Sequence, residues 1–203
     1  MNFAASPMAT VIFLATIGLS LYALFKNQNL LYQFMLHPYS LVREKKYYQL
    51  ITSGFIHADL GHLMMNMITF YFFAFKLEMY VGTFDFFIIY FGCLIISDLT
   101  TIAKHKDDYG YRALGASGAV SGVLLSTIIF DPNAGIYIFI FREEPIPGYI
   151  FALLYFVFSY FAGKRMGDHI NHEAHLWGGI GGVVLISLLN PDVLVKFFYK
   201  IFS

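Results

Sequence analysis

Charge and cysteine are scarce in this 203-residue chain. Asp, Glu, Lys and Arg make up 13% of it, against roughly 25% in a soluble domain. A surface so poor in charge cannot be wetted all round, so most of it faces lipid. The 13 basic side chains are matched by 13 acidic ones, so no net charge points to a nucleic-acid partner. The single cysteine, Cys93, excludes a disulfide framework and a cysteine-ligated metal centre. Set in an apolar stretch, it reads as a small buried residue. The first apolar run starts near Pro7 without a basic leader or an A-x-A cleavage site, so it reads as a retained membrane helix, not a removed signal peptide. Duplicated halves and low-complexity linkers are also missing. The length suits one domain over residues 1–203.

What is abundant is apolar, at 58% of residues. A bilayer-spanning helix needs about 20 mainly apolar residues, and six segments come near that. They run over Met8–Phe25, Leu60–Leu77, Phe84–Ile102, Gly115–Phe130, Tyr149–Ala162 and Ala174–Leu189. Backbone amides in lipid must be paired within their own segment, so these are helices. Barrel strands would be shorter and would alternate polar with apolar. The fold class expected is therefore all-α, a polytopic six-helix membrane bundle.

The connections differ in character. Lys104–Asp108 and Lys164–Asp168 are short and polar. The stretch from Lys26 to Asp59 is long, with apolar runs too short to span, and reads as amphipathic pieces lying in the interface. The run Ile136–Phe141 fits either an interfacial segment or the extension of a neighbouring helix. The C-terminal Val193–Ser203 mixes lysines with aromatics and reads as a segment on the membrane surface.

Parity adds a constraint. Alternate helices enter from the same face, so His57, His62 and Asn66 at the start of the second segment share a face with Ser117 and His175, which open the fourth and sixth. Serine is a weak nucleophile without an adjacent base, and imidazole titrates near neutrality. Attack on a carbonyl also needs donors for the developing oxyanion. His62 and Asn66, four residues apart, lie on one helical face and could supply them with the Ser117 amide, free at a helix start. Gly118 with Gly122 and Gly178 with Gly182 form two small-xxx-small faces, a spacing that lets membrane helices dock closely. Docking them would bring Ser117 and His175 together.

The alternatives are specific. Gly-Ala-Ser-Gly in a membrane helix is by itself more often a packing face. An intramembrane histidine is costly and more often functional. His172-Glu173-Ala174-His175 has i, i+3 spacing, where the zinc motif needs i, i+4. A metal shared by His57, His62, His172 and His175 is the weaker reading. A transporter using buried histidines as a proton relay would often show duplicated halves, which this chain lacks. His57 reads as a brace for the loop before it. Glu78 reads as a cap or brace on the far face. Asp98 lies late in the third segment, near the catalytic face, and is not assigned to a triad.

Three ordered elements carry a family resemblance: His57-x4-His62-x3-Asn66, Gly115-Ala116-Ser117-Gly118, and Ala174-His175 followed by Gly178-x3-Gly182. Together they resemble the rhomboid intramembrane serine proteases over the second to the sixth segment. The resemblance implies a Ser117–His175 dyad and an oxyanion site of His62, Asn66 and the Ser117 amide. His57, Gly115, Gly118, Gly178 and Gly182 would be structural supports. It further implies transmembrane protein substrates cut near helix-destabilising residues, and no cofactor or metal. The fifth segment, with Phe151, Phe156, Phe158 and Phe161, would be a mobile gate. A catalytically inactive relative that binds membrane clients would keep the same bundle.

Two positions depart from the family. A Trp-Arg pair often found in its first loop is Tyr48-Gln49 here, and an aromatic often found four residues after the nucleophile is Ser121. The family, in the membrane of a bacterial cell, would turn its site to the exterior. Yet the loops on the catalytic side hold nine of the 13 Lys and Arg (Lys26, Arg43, Lys45, Lys46, Lys104, Lys106, Arg112, Lys164 and Arg165). The other face holds four, Lys76, Arg142, Lys196 and Lys200, the reverse of the positive-inside rule.

Overall fold

A computed structural model describes the backbone of residues 3–136, 144–165 and 171–202, and the side chains of 4–136, 144–157 and 171–202. Arg142, Phe158, Phe161, most of the Ile136–Phe141 run and the side chains of Lys164–Asp168 lie outside the described residues.

The described residues are mostly helical. Helix α1 covers Pro7–Phe25. Three short helices follow, α2 (Asn29–Phe34), α3 (Pro38–Arg43) and α4 (Gln49–Thr52), then a 3-10 turn over Ser53–Phe55. The longest two, α5 (Leu60–Val81) and α6 (Thr83–His105), meet at Gly82, whose positive φ of 83° turns the chain between them. Next come α7 (Ser117–Phe130), α8 (Gly148–Arg165), α9 (His172–Leu189) and α10 (Val193–Phe202). The only sheet among the described residues is an antiparallel pair, Gly135–Ile136 with Ile146–Pro147.

All six expected apolar segments are helical, but they do not all have spanning length. Among the described residues α1, α5 and α6 are long and apolar enough to cross a membrane, and α9 with α10, bent by 107°, makes a fourth if taken as one span. Helix α7 has 14 residues, about 21 Å at 1.5 Å per residue, against a hydrocarbon core of about 30 Å. It is buried without a break from Gly118 to Ile128. Its apolar character therefore answers to protein neighbours, chiefly α9, α6 and α5, and not to lipid. It begins at Ser117, two residues later than expected, and α6 runs on through Lys104 and His105, which the sequence suggested as loop.

The long stretch after α1 is strapped to the segment that leads into α7. Leu36 and Ala113 exchange backbone hydrogen bonds of 2.8 and 2.9 Å. Arg43 reaches Asp107 at 2.8 Å. Gln49, which stands where the resemblance calls for arginine, is buried. Its carbonyl oxygen accepts from His37 N–H at 3.2 Å and its amide donates to Gln33 O at 3.4 Å. Tyr48 is half exposed. Of this pair, Gln49 and not Tyr48 is the one that anchors the loop.

On the far side Glu78 is 2% exposed, and its carboxylate accepts from the Met8 and Ala9 amides at 3.1 and 2.7 Å and from the Thr83 hydroxyl at 2.8 Å. An acidic group there satisfies free amides at the α1 N-terminus and complements its dipole. Ser6 adds a bond from its hydroxyl to Phe75 O at 3.0 Å. The brace expected of Glu78 thus fastens α1 to α5.

Candidate active site

The glycine faces of α7 and α9 meet. A Cβ built on Gly178 would lie 2.9 Å from Gly118 Cα, one on Gly182 2.7 Å from Gly122 Cα, and one on Gly122 2.8 Å from Gly178 O. No side chain fits between backbones this close. Gly122 also takes up Cys93 of α6, whose Cβ would be 2.6 Å from its own. Cys93 is fully buried.

This docking sets the N-terminal ends of α7 and α9 side by side. Ser117, at the first position of α7, and His175, in the first turn of α9, line one cavity of about 1100 Å³ with His62 and Asn66 of α5. Among the described contacts no hydrogen bond joins Ser117 to His175; without substrate such bonds are often long and tighten only when it binds. The Ser117 N–H belongs to the first turn of a helix, whose amides have no intrahelical acceptor. Asn66 donates to His62 O at 3.0 Å, which fixes its side chain and leaves its second N–H for the cavity.

Gly115 adopts a φ of 113°, a region that side chains disfavour. A Cβ there would lie 2.6 Å from His62 Cε1, so the turn before Ser117 is pressed against that imidazole. Gly115→Ala is expected to slow any reaction at Ser117 at least tenfold. It combines backbone strain of about 1–3 kcal/mol with displacement of His62. Rate per folded molecule measures this, and an unchanged rate would refute the packing argument.

His57 is fully buried and holds this turn from behind. Its Nε2 accepts from Ala116 N–H at 3.4 Å and its Nδ1 lies 3.0 Å from Ser20 Oγ. Ser20 donates its own proton to Phe55 O at 3.0 Å, so Nδ1–H is the donor to Ser20. Burial, with the neighbouring His62 adding to it, pushes the His57 pKa down to about 3. The ring is therefore neutral, and the chain of donors from Ala116 through His57 and Ser20 to Phe55 is complete. His57 braces the loop, as the sequence suggests, and also ties α1 to the residue before Ser117.

The start of α9 has its own brace, which sequence reasoning missed. Asn171 Oδ1 caps Ala174 N–H at 3.1 Å, while its amide donates to Thr101 Oγ1 at 2.7 Å and to Tyr111 OH at 3.3 Å. Tyr111 stacks on His105 at 3.6 Å. An asparagine three residues before Ala174 is a legible helix-cap signal, but its partners, Thr101 on α6 and Tyr111 beyond the end of α6, are not. Asp59 plays the same part for α5, accepting from His62 N–H at 2.8 Å. Asp98 is buried on α6. The shared-metal arrangement does not assemble. His57 and His62 rings are 4.9 Å apart and His172 and His175 rings 5.9 Å apart, but no three His, Cys, Asp or Glu side chains among the described residues could hold one ion.

The Rhomboid domain family model matches residues 44–191. The chain belongs to the rhomboid family. The match runs from the end of α3 through α9 and so includes the whole cavity. Over 150 residues this rhomboid is 32% identical to the "Putative rhomboid protease YdcA" of Bacillus subtilis (strain 168), covering 71% of this chain and 68% of that one. It is 28% identical over 165 residues to "RHOMBOID-like protein 12, mitochondrial" of Arabidopsis thaliana, covering 72% of this chain and 48% of that one. Against "Rhomboid protein 1, mitochondrial" of Saccharomyces cerevisiae the identity is 34% over 142 residues, covering 66% and 40%. The match thus spans less than half of the two mitochondrial proteins. Family and apolar helices together make this rhomboid a multi-pass integral membrane protein.

Proposed function

We propose that this rhomboid is a serine endopeptidase that cuts membrane proteins in or near their transmembrane segments. The observation that carries the reading is the convergence of Ser117, His175, His62 and Asn66 on one cavity inside an apolar bundle. Ser117 Oγ attacks the scissile carbonyl while His175 takes its proton. The tetrahedral oxyanion is held by His62, Asn66 and the Ser117 N–H. His175 then protonates the leaving amine, the C–N bond breaks and an acyl-serine remains. Water, deprotonated by His175, attacks that ester, and His175 returns the proton to Ser117. These steps need no metal and no cofactor.

A substrate helix hides its carbonyls in its own hydrogen bonds, so the segment must unwind before attack. Entry between α5 and α8 suits this, since both helices wall the cavity. Phe151 of α8 faces that cavity, whereas Phe156 packs beside Gly179 of α9. The bundle is one domain over residues 1–203, in which α1, α5, α6, α7, α8 and α9 are the six membrane-embedded helices.

The test is reaction of the full chain in liposomes with a fluorophosphonate probe, located by mass spectrometry, beside cleavage of a transmembrane substrate. Labelling at Ser117 together with cleavage supports the reading. A folded protein that does neither is the inactive, client-binding alternative. In a bacterial cell membrane the site would open outwards. Cysteines placed at Lys106 and Arg112 are then expected to react with an impermeant reagent added outside intact cells, and reaction only from the cytoplasm would reverse this orientation.

A further inference from the structure

Among the described residues, Tyr155 of α8 makes a polar contact with the first turn of α7. Tyr155 OH is hydrogen-bonded to Ser121 Oγ, and Ser121 donates its hydroxyl proton to Ser117 O at 2.7 Å. Ser121 has a single proton, already committed to Ser117, so Tyr155 must be the donor. The result is a directed chain from the Tyr155 hydroxyl through Ser121 to the carbonyl of Ser117. Serially linked hydrogen bonds polarise and strengthen one another. Tyr155, Ser121 and Ser117 also line the same cavity, so the chain runs along its wall.

We propose that Tyr155 is a positioning residue for Ser117. It holds the first turn of α7 in place only while α8 is docked. Elsewhere α8 meets α7 further along, where Phe151, Ala152 and Phe156 pack against the cluster of Leu124, Leu125 and Ile128; Leu153, Leu154 and Val157 point outwards, and the helix packs mainly on α9. A hydroxyl on the helix beside the proposed entry route thus decides whether the turn that carries Ser117 is set. This rests on the protease reading for its kinetic consequence, but not for its structural one.

The test uses the full chain in liposomes with Tyr155→Phe, Ser121→Ala and the double variant. Tyr155→Phe loses only the hydroxyl. Each single variant is expected to lower kcat three- to tenfold with KM within twofold, and to slow fluorophosphonate labelling of Ser117 by the same factor. The double variant should be no slower than the slower single. Faster cleavage by Tyr155→Phe would mean that the contact merely obstructs entry, and multiplicative losses would mean that the two hydroxyls act separately; either overturns the proposal. A structural readout is independent of catalysis. With spin labels at Ile68→Cys on α5 and Leu154→Cys on α8, both exposed on the bundle surface, the distance distribution should broaden in Tyr155→Phe and in Ser121→Ala. An unchanged distribution overturns the docking role even if the wild type is inactive. A broadened distribution in a chain that neither labels nor cleaves would leave the docking role standing and remove the protease reading.

Discussion

Ser117→Ala is expected to abolish both probe labelling and substrate cleavage, with a loss of at least about a thousandfold in kcat. The alanine keeps the helix start and the apolar packing, so its unfolding temperature should match the wild type within a few degrees. His175→Ala should cost nearly as much, because an unassisted serine hydroxyl is a poor nucleophile at neutral pH. The double variant should then be no slower than either single one. Groups that act in the same proton transfer do not lose rate additively. Residual cleavage in both single variants would remove the dyad, whatever the fold. If Ser117→Ala is inactive and His175→Ala is not, the base lies elsewhere on the cavity wall, and His172, buried beside His175 with rings 5.9 Å apart, would be the first to test.

Much of the fold is legible in the sequence, and the reasons for the exceptions are physical. The apolar segments announce themselves because helices in lipid need long runs without charge. The docking of α7 on α9 is legible too, since Gly118, Gly122, Gly178 and Gly182 leave room for nothing but backbone. What hydropathy cannot separate is lipid from protein as the apolar neighbour. That is why Gly115–Phe130 reads as a span yet forms a short helix enclosed by α5, α6 and α9.

The site divides in the same way. Ser117, His175, His62 and Asn66 share a face by helix parity alone, and the structure lines one cavity with them. The bonds that steady them are long-range and depend on crossing angles that no spacing encodes. Asn171 finds Thr101 across 70 residues, and Glu78 finds the start of α1 across 69 and 70. The contact between Ser121 and Tyr155 is of this kind. A small residue four positions after Ser117 reads as a missing support until α8 is seen to reach it.

Gly178→Ala carries the largest expected effect on stability. The added Cβ would meet the Gly118 backbone, with Gly118 Cα at 2.9 Å and its carbonyl oxygen nearer still. Backbone cannot rotate away as a side chain can. The two helices must move apart along a face where α7 is buried from Gly118 to Ile128. Overpacking of this kind costs about 3 kcal/mol, visible as a lower unfolding temperature in detergent. Gly92→Ala is the matched comparison. Its Cβ would also come close, 2.7 Å from Leu185 Cδ1, but a leucine methyl can turn aside, and alanine gains about 1 kcal/mol of helix propensity over glycine. Gly92→Ala should therefore be near neutral. The activity of Gly178→Ala should fall further than its folded fraction, because Gly118 neighbours Ser117 and Gly178 lies one turn beyond His175. A misplacement of about 1 Å between reacting groups can cost roughly a hundredfold in rate. If Gly178→Ala were as stable and as active as the wild type, the close approach of α7 and α9 would not be what brings the serine and the histidine to one cavity.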